Sequence, residues 1–166
     1  MINRQRFICG ALLLGGVMWG AGQALADEIS GTLNGEPKQW YVVTHAEGST
    51  AYFSEIMPNM INVTVQGHRE AHYETQGTLS IGFMVMNGVA SSASVGYFPE
   101  NSMMPHYGTE QEVPIEIELL DIDSDPGRAK GRITTSLAYI ASMSEDYDHG
   151  NTMDVDVSFD VALAKE

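Results

Sequence analysis

From Met153 to Leu163 the chain alternates: Met153, Val155, Val157, Phe159, Val161 and Leu163 are apolar, while the residues between them are acidic or small. Only a strand gives these positions a common face, because a helix would spread them around its circumference. The same period of two recurs in Ile61, Val63 and Val65; in Leu79, Ile81, Phe83 and Val85; in Val113, Ile115, Ile117 and Leu119; and in Ile133, Leu137, Tyr139 and Ala141. Turn formers stand between these segments: Asn34-Gly35, Gly67, Asn87-Gly88, Pro99 to Asn101, Asp125-Pro126-Gly127 and His149-Gly150-Asn151. Two further apolar segments, Trp40 to Val43 and Ala51 to Met57, bring the expectation to about eight or nine strands, with no amphipathic helix competing. The pattern predicts an all-β fold, a single-domain antiparallel β-sandwich of immunoglobulin-like type, with a small barrel as the alternative.

Between Pro114 and Ser142 the pattern predicts a hairpin, one strand ending near Ile122 and the next starting near Gly131. Its tip carries Asp121, Asp123 and Asp125, a D-x-D-x-D spacing whose oxygen ligands suit calcium. Gly127 falls one place late for an EF-hand turn, and Arg132 holds the twelfth position where a bidentate glutamate belongs. A solvated turn is the competing reading. Acidic residues also alternate outward on two predicted strands, Glu116 and Glu118 on one and Asp154, Asp156 and Asp160 on the other. Neighbouring strands would set like charges opposite one another, so the expectation is different sheets or exposed edges.

The N-terminus follows another pattern. Arg4 and Arg6 precede an apolar run from Phe7, and Ala24 and Ala26 close it, the three regions of a secretory signal peptide with cleavage before Asp27. The 20 residues from Phe7 to Ala26 could just cross a bilayer, but the four glycines from Gly15 to Gly22 and the Ala-Leu-Ala ending favour removal. Residues 1–26 are therefore expected to be a cleaved signal peptide and residues 27–166 an acidic domain, periplasmic or secreted, with no transmembrane segment after cleavage. Cleavage would remove Cys9, the only cysteine, so the exported chain could form no disulfide. It would also leave six basic residues against 22 acidic ones, a net charge of −16 with histidines neutral. Such a surface repels phosphate, so nucleic acid and anionic lipid are not expected partners.

Eight of the ten methionines and all five histidines lie beyond residue 26. Thioether and imidazole together suit copper. They group as Met57-Pro58-Asn59-Met60, His68-Arg69-Glu70-Ala71-His72 and Met103-Met104-Pro105-His106. The second group is not the zinc-protease motif, since Glu70 is displaced by one position from the glutamate of H-E-x-x-H.

The stretch Tyr97-Phe98-Pro99-Glu100-Asn101-Ser102-Met103-Met104-Pro105-His106-Tyr107-Gly108 resembles, over about a dozen residues, the segment ending in P-H-Y-G of periplasmic copper-binding proteins that accompany bacterial iron uptake. The resemblance implies an immunoglobulin-like sandwich, with His106 as a copper ligand and His68-Arg69-Glu70 as that family's upstream His-x-Glu pair. Glu100 stands roughly where the family has a methionine, and the family's later histidine motif has no counterpart after Gly108.

The expected metal ligands are thus His106, Met103, Met104, His68, Glu70 and Met57 for copper, with Asp121, Asp123 and Asp125 for calcium. No G-x-S-x-G or S-x-x-K motif and no phosphate-cradling glycine loop occurs, so the chain is expected to bind rather than to catalyse. Aromatic residues near predicted strand ends, among them Trp40, Phe53, Tyr73 and Phe98, can build either a core or a ligand groove. Two functions follow as expectations. One is a non-catalytic interaction or ligand-binding module of the cell envelope, meeting an envelope or extracellular protein or a small ligand; the other is a periplasmic copper-binding protein using Met and His ligands.

Overall fold

The alternation that ends the sequence forms the longest strand of the protein, Asp148–Lys165, with Val155, Val157, Phe159, Val161 and Leu163 all buried. The structure is a computed structural model describing residues 27–46 and 48–166; the expected signal peptide lies outside the described residues. These residues form β1 (Glu28–Leu33), β2 (Glu36–Tyr41), β3 (Thr44–His45), β4 (Gly48–Ser49), β5 (Ala51–Met57), β6 (Met60–Gly67) and β7 (Thr78–Met86). The remainder are β8 (Val89–Phe98), β9 (His106–Gly108), β10 (Val113–Pro114), β11 (Glu116–Asp121), β12 (Gly127–Ile140) and β13 (Asp148–Lys165). No helix occurs among the described residues, and none is therefore long and apolar enough to cross a membrane.

The all-β expectation holds, but the strands outnumber it. Eleven of them join one sheet, and β3 and β4 form a separate pair. The excess has a physical origin. β8 reads Val-Ala-Ser-Ser-Ala-Ser-Val-Gly-Tyr-Phe, too poor in large apolar residues to show alternation, and β3, β4, β9 and β10 are two or three residues long, shorter than any periodic signal. Pairing runs from β12 through β9, β8, β7, β6 and β5 to β13, which pairs again with β12; β11, β10, β1 and β2 attach along this circuit. The pairs are antiparallel except β5 with β13, which run parallel at Tyr52–Ala164 and Phe53–Lys165.

The core lies between strands that face each other without pairing. Phe83 of β7 and Phe159 of β13 meet at 6.4 Å between ring centroids. Gly67 of β6 lies so close to β1 and β2 that a Cβ there would stand 2.5 Å from Trp40 Cβ and 2.8 Å from Ile29 Cδ1. Trp40, 2% exposed, is held in place by its indole N–H, which donates to Gly77 O at 3.0 Å.

The acidic rows lie in one sheet, Glu116 and Glu118 on its edge strand β11 and the aspartates on β13. β12 runs between β11 and β13 and presents Arg128, Lys130 and Arg132 at alternate positions. Lys130 pairs with Glu118 at 2.7 Å, Arg128 with Asp160 at 2.7 Å and Arg132 with Asp156 at 2.8 Å. The Arg132 guanidinium, and then Thr134, hold the Asp156 carboxyl below the usual carboxylate range. A cationic strand between two anionic ones makes the like-charge clash into a set of cross-strand ion pairs, each modest because it is exposed to solvent.

Candidate metal centre around His68

His68 follows β6 directly, and its main chain is fixed by two hydrogen bonds with Tyr41, N to O and O to N, both 2.9 Å. Beyond it the chain loops out and returns at Gly77, whose φ of +77° suits a glycine and whose carbonyl accepts the Trp40 indole. Gly77 N also donates to Phe98 O at 2.6 Å, and Arg69 Nη2 donates to Glu74 Oε2 at 3.0 Å. The loop is thereby folded over the histidine, which is 1% exposed.

The ring's partners assign its tautomer. Nδ1 lies 2.8 Å from Glu74 O, an acceptor only, and 3.0 Å from Thr78 Oγ1. Thr78 gives its own hydroxyl proton to Glu74 O at 2.6 Å, so its oxygen accepts as well. Nδ1 therefore carries a proton, and in the neutral ring Nε2 holds the lone pair. That lone pair is buried without a donor among the described residues, and so is Glu74 Oε1. These two atoms are the buried side-chain nitrogens and oxygens without partners among the described residues, and both residues line one cavity of about 50 Å³. Gln66, Tyr73, Thr75, Thr78, Phe98 and Met103 complete its wall, the Tyr73 ring centroid 5.0 Å from that of His68.

Two unpaired acceptors sharing a cavity call for an occupant that offers positive charge or protons. Imidazole, carboxylate and thioether together are a ligand set for copper. The backbone carbonyl on Nδ1 is the outer support that metal-bound histidines require to fix ring orientation. Among the described residues no three His, Cys, Asp or Glu side chains converge as a metal-holding group, so a metal at His68 draws on Met103 or solvent for further ligands.

The residues chosen from the sequence separate into places. His68 and Met103 share the cavity. His106 stands on the other contact of Phe98, ring centroids 5.4 Å apart, with its Nδ1 3.2 Å from Met104 Sδ and 3.2 Å from Met103 O. Glu70 is exposed and does not line the cavity; Glu74, which the sequence reading passed over, does. Its signal was faint, a carboxylate six residues beyond a histidine in a segment without periodicity. Met57 ends β5 at the hairpin leading into β6, the opposite end of β6 from His68, about 25 Å away at the rise of an extended strand.

In the hairpin tip, Asp121 is engaged by its own loop: Oδ1 accepts from the amides of Asp123 and Ser124 at 3.1 Å each, and Oδ2 from the Ser124 hydroxyl at 2.7 Å. The Ser124 hydroxyl and amide hold the Asp121 carboxyl below its ordinary range. Asp123 and Asp125 are exposed.

Comparison with protein-family models, curated proteins and solved structures finds no match to the chain.

Proposed function

We propose that the chain is an exported, non-catalytic binding protein whose ligand is copper, held at His68. The observation that carries this reading is that His68 Nε2 and Glu74 Oε1 are both buried without partners among the described residues and belong to side chains that line one cavity. Met103 supplies a thioether from the loop before β9, and its 67% exposure leaves it free to close over an incoming ion. The acidic chain, −14 overall, raises the local concentration of cations before capture. Export follows from the signal-peptide pattern of residues 1–26, which places the domain where a cysteine-free, methionine-based site resists thiol competition.

The scaffold is read as a flattened sandwich, β11, β12, β13, β1 and β2 facing β5, β6, β7 and β8, with the long strands β12 and β13 bridging its two edges. Phe83 against Phe159 supports that layering. The His68 cavity then lies at one open end, where loops meet.

Competition with a chelator of known affinity, performed with Cu(I) under reducing conditions and with Cu(II) in air, tests the function. Wild-type protein is expected to bind one copper at His68 more tightly than micromolar, and His68→Gln to lose at least a hundredfold. Met103→Leu, which alters only an exposed side chain, is expected to weaken Cu(I) binding while leaving the fold intact. A wild-type protein that binds neither oxidation state more tightly than micromolar would sink the proposal. Tight binding unchanged in both variants would move the metal elsewhere.

A further inference from the structure

Half of the methionines beyond residue 26 stand at the end of the molecule away from His68: Met57, Met60, Met84 and Met86. The ladder registers align three of them. Met57 of β5 lies opposite Met60 of β6, and Met60 opposite Met86 of β7. Residues directly opposite in a ladder share a face, with Cβ atoms about 5 Å apart.

That face is the outer one. Along β7, Leu79, Ile81, Phe83 and Val85 are buried, which turns Met84 and Met86 outward; they are 37% and 52% exposed. Met57 reaches the same face only through an irregularity. Phe53 pairs with Val63 on the inner side, and simple alternation would send Met57 inward as well. The register shifts between Glu55 and Met57, inserting Ile56 as an extra residue, so that Met57 emerges beside Met60 with 53% exposure. Bulges of this kind re-aim a side chain at the expense of a ladder bond.

Two tight turns hold the row together. Met57 and Met60 flank Pro58-Asn59, and Met86 and Val89 flank Asn87-Gly88, with positive φ at Asn59, Asn87 and Gly88. Asn87 N donates to Asn59 O at 3.0 Å, locking one turn against the other. The flexible methionines therefore project from a rigid, hydrogen-bonded edge.

We propose that the Met57–Met60–Met86 row is a second soft-metal site, binding one monovalent cation such as Cu(I) through thioether sulfurs alone. Thioethers select Cu(I) over harder ions. Three methionines in adjacent registers bring three sulfurs within reach of one ion, since each side chain has the torsional freedom to lean toward Met60. This site stands apart from His68 in place, donors and evidence of geometry, and neither depends on the other.

The test uses Ag(I), a redox-inert stand-in, added to His68→Gln protein carrying carbon-13 in its methionine methyl groups. The methyl signals of Met57, Met60 and Met86 are expected to move together and saturate near one equivalent. Met143, 90% exposed and outside the row, serves as the control and is expected to stay in place. In Met60→Leu the saturable shifts of Met57 and Met86 are expected to weaken at least tenfold. The proposal is overturned if Met143 moves as far as the row, if the row is unmoved by ten equivalents as a protein-docking face would be, or if Met60→Leu leaves the other two shifts unchanged.

Discussion

Phe159→Ala is expected to destabilise the protein by about 3–5 kcal/mol, the range for removing a large aromatic side chain from a packed core. Phe159 is 2% exposed, sits mid-way along β13 and lies opposite Ile29 of β1. Its ring also meets Phe83 across the core, a contact between strands that share no hydrogen bonds. Space for it is left by Gly131, where a Cβ would stand 2.8 Å from Phe159 Cζ. The side chain therefore joins both faces of the core, and its loss leaves a cavity that rigid ladders on either side cannot collapse into. Urea midpoints at constant slope measure the loss; a value below about 1.5 kcal/mol, on the scale of tolerated volume-conserving swaps, would contradict the packing described.

Gly31→Ala is expected to be comparably damaging for a different reason. A Cβ at Gly31 would lie 2.1 Å from Asp156 O and 2.6 Å from Val157 Cα, both main-chain atoms of β13. No rotamer change relieves a clash with backbone, so β1 must part from β13 along a register that runs from Glu28–Asp160 to Leu33–Val155. A loss of about 3 kcal/mol or more follows, at the upper end of overpacking effects. Gly82→Ala is the control: its nearest neighbour would be the Ser94 hydroxyl at 3.3 Å, on an exposed face. Parallel urea titrations of the two variants compare them, and equal stability in both would refute the close approach of β1 to β13.

Strand identity was legible where one face is buried and the other charged. β13 and β7 display their alternation openly, and the structure buries the residues that alternation selects from Val155 to Leu163 and from Leu79 to Val85, with Met153 partly buried. β11 departs from it: the register shifts between Ile117 and Leu119, leaving Leu119 44% exposed although the spacing placed it inward. Pairing was not legible, because a period of two assigns faces and not neighbours. For the same reason alternation alone does not reveal that Arg128, Lys130 and Arg132 form the row that separates two acidic strands.

The candidate site divides along the same line. Residue chemistry pointed to His68 and Met103, which share a cavity although 35 positions apart in the chain. The resemblance to copper-binding proteins pointed to Glu70, which does not line that cavity, whereas Glu74 does. The loop beyond His68 is turned back by Gly77 and the Trp40 indole, which brings Glu74 onto the ring while Glu70 faces solvent. Met57 was grouped with the histidines by type alone; the length of β6 separates them, and its own neighbours are Met60 and Met86.

Whether His68 Nε2 is a metal ligand, as proposed, is decided by a crystal grown with copper and anomalous diffraction collected at the copper edge. An anomalous peak is expected about 2.0–2.1 Å from His68 Nε2, the usual span of a metal–imidazole bond, with Glu74 Oε1 or Met103 Sδ beside it. A water molecule bridging Nε2 and Oε1, with copper elsewhere or absent, would contradict it.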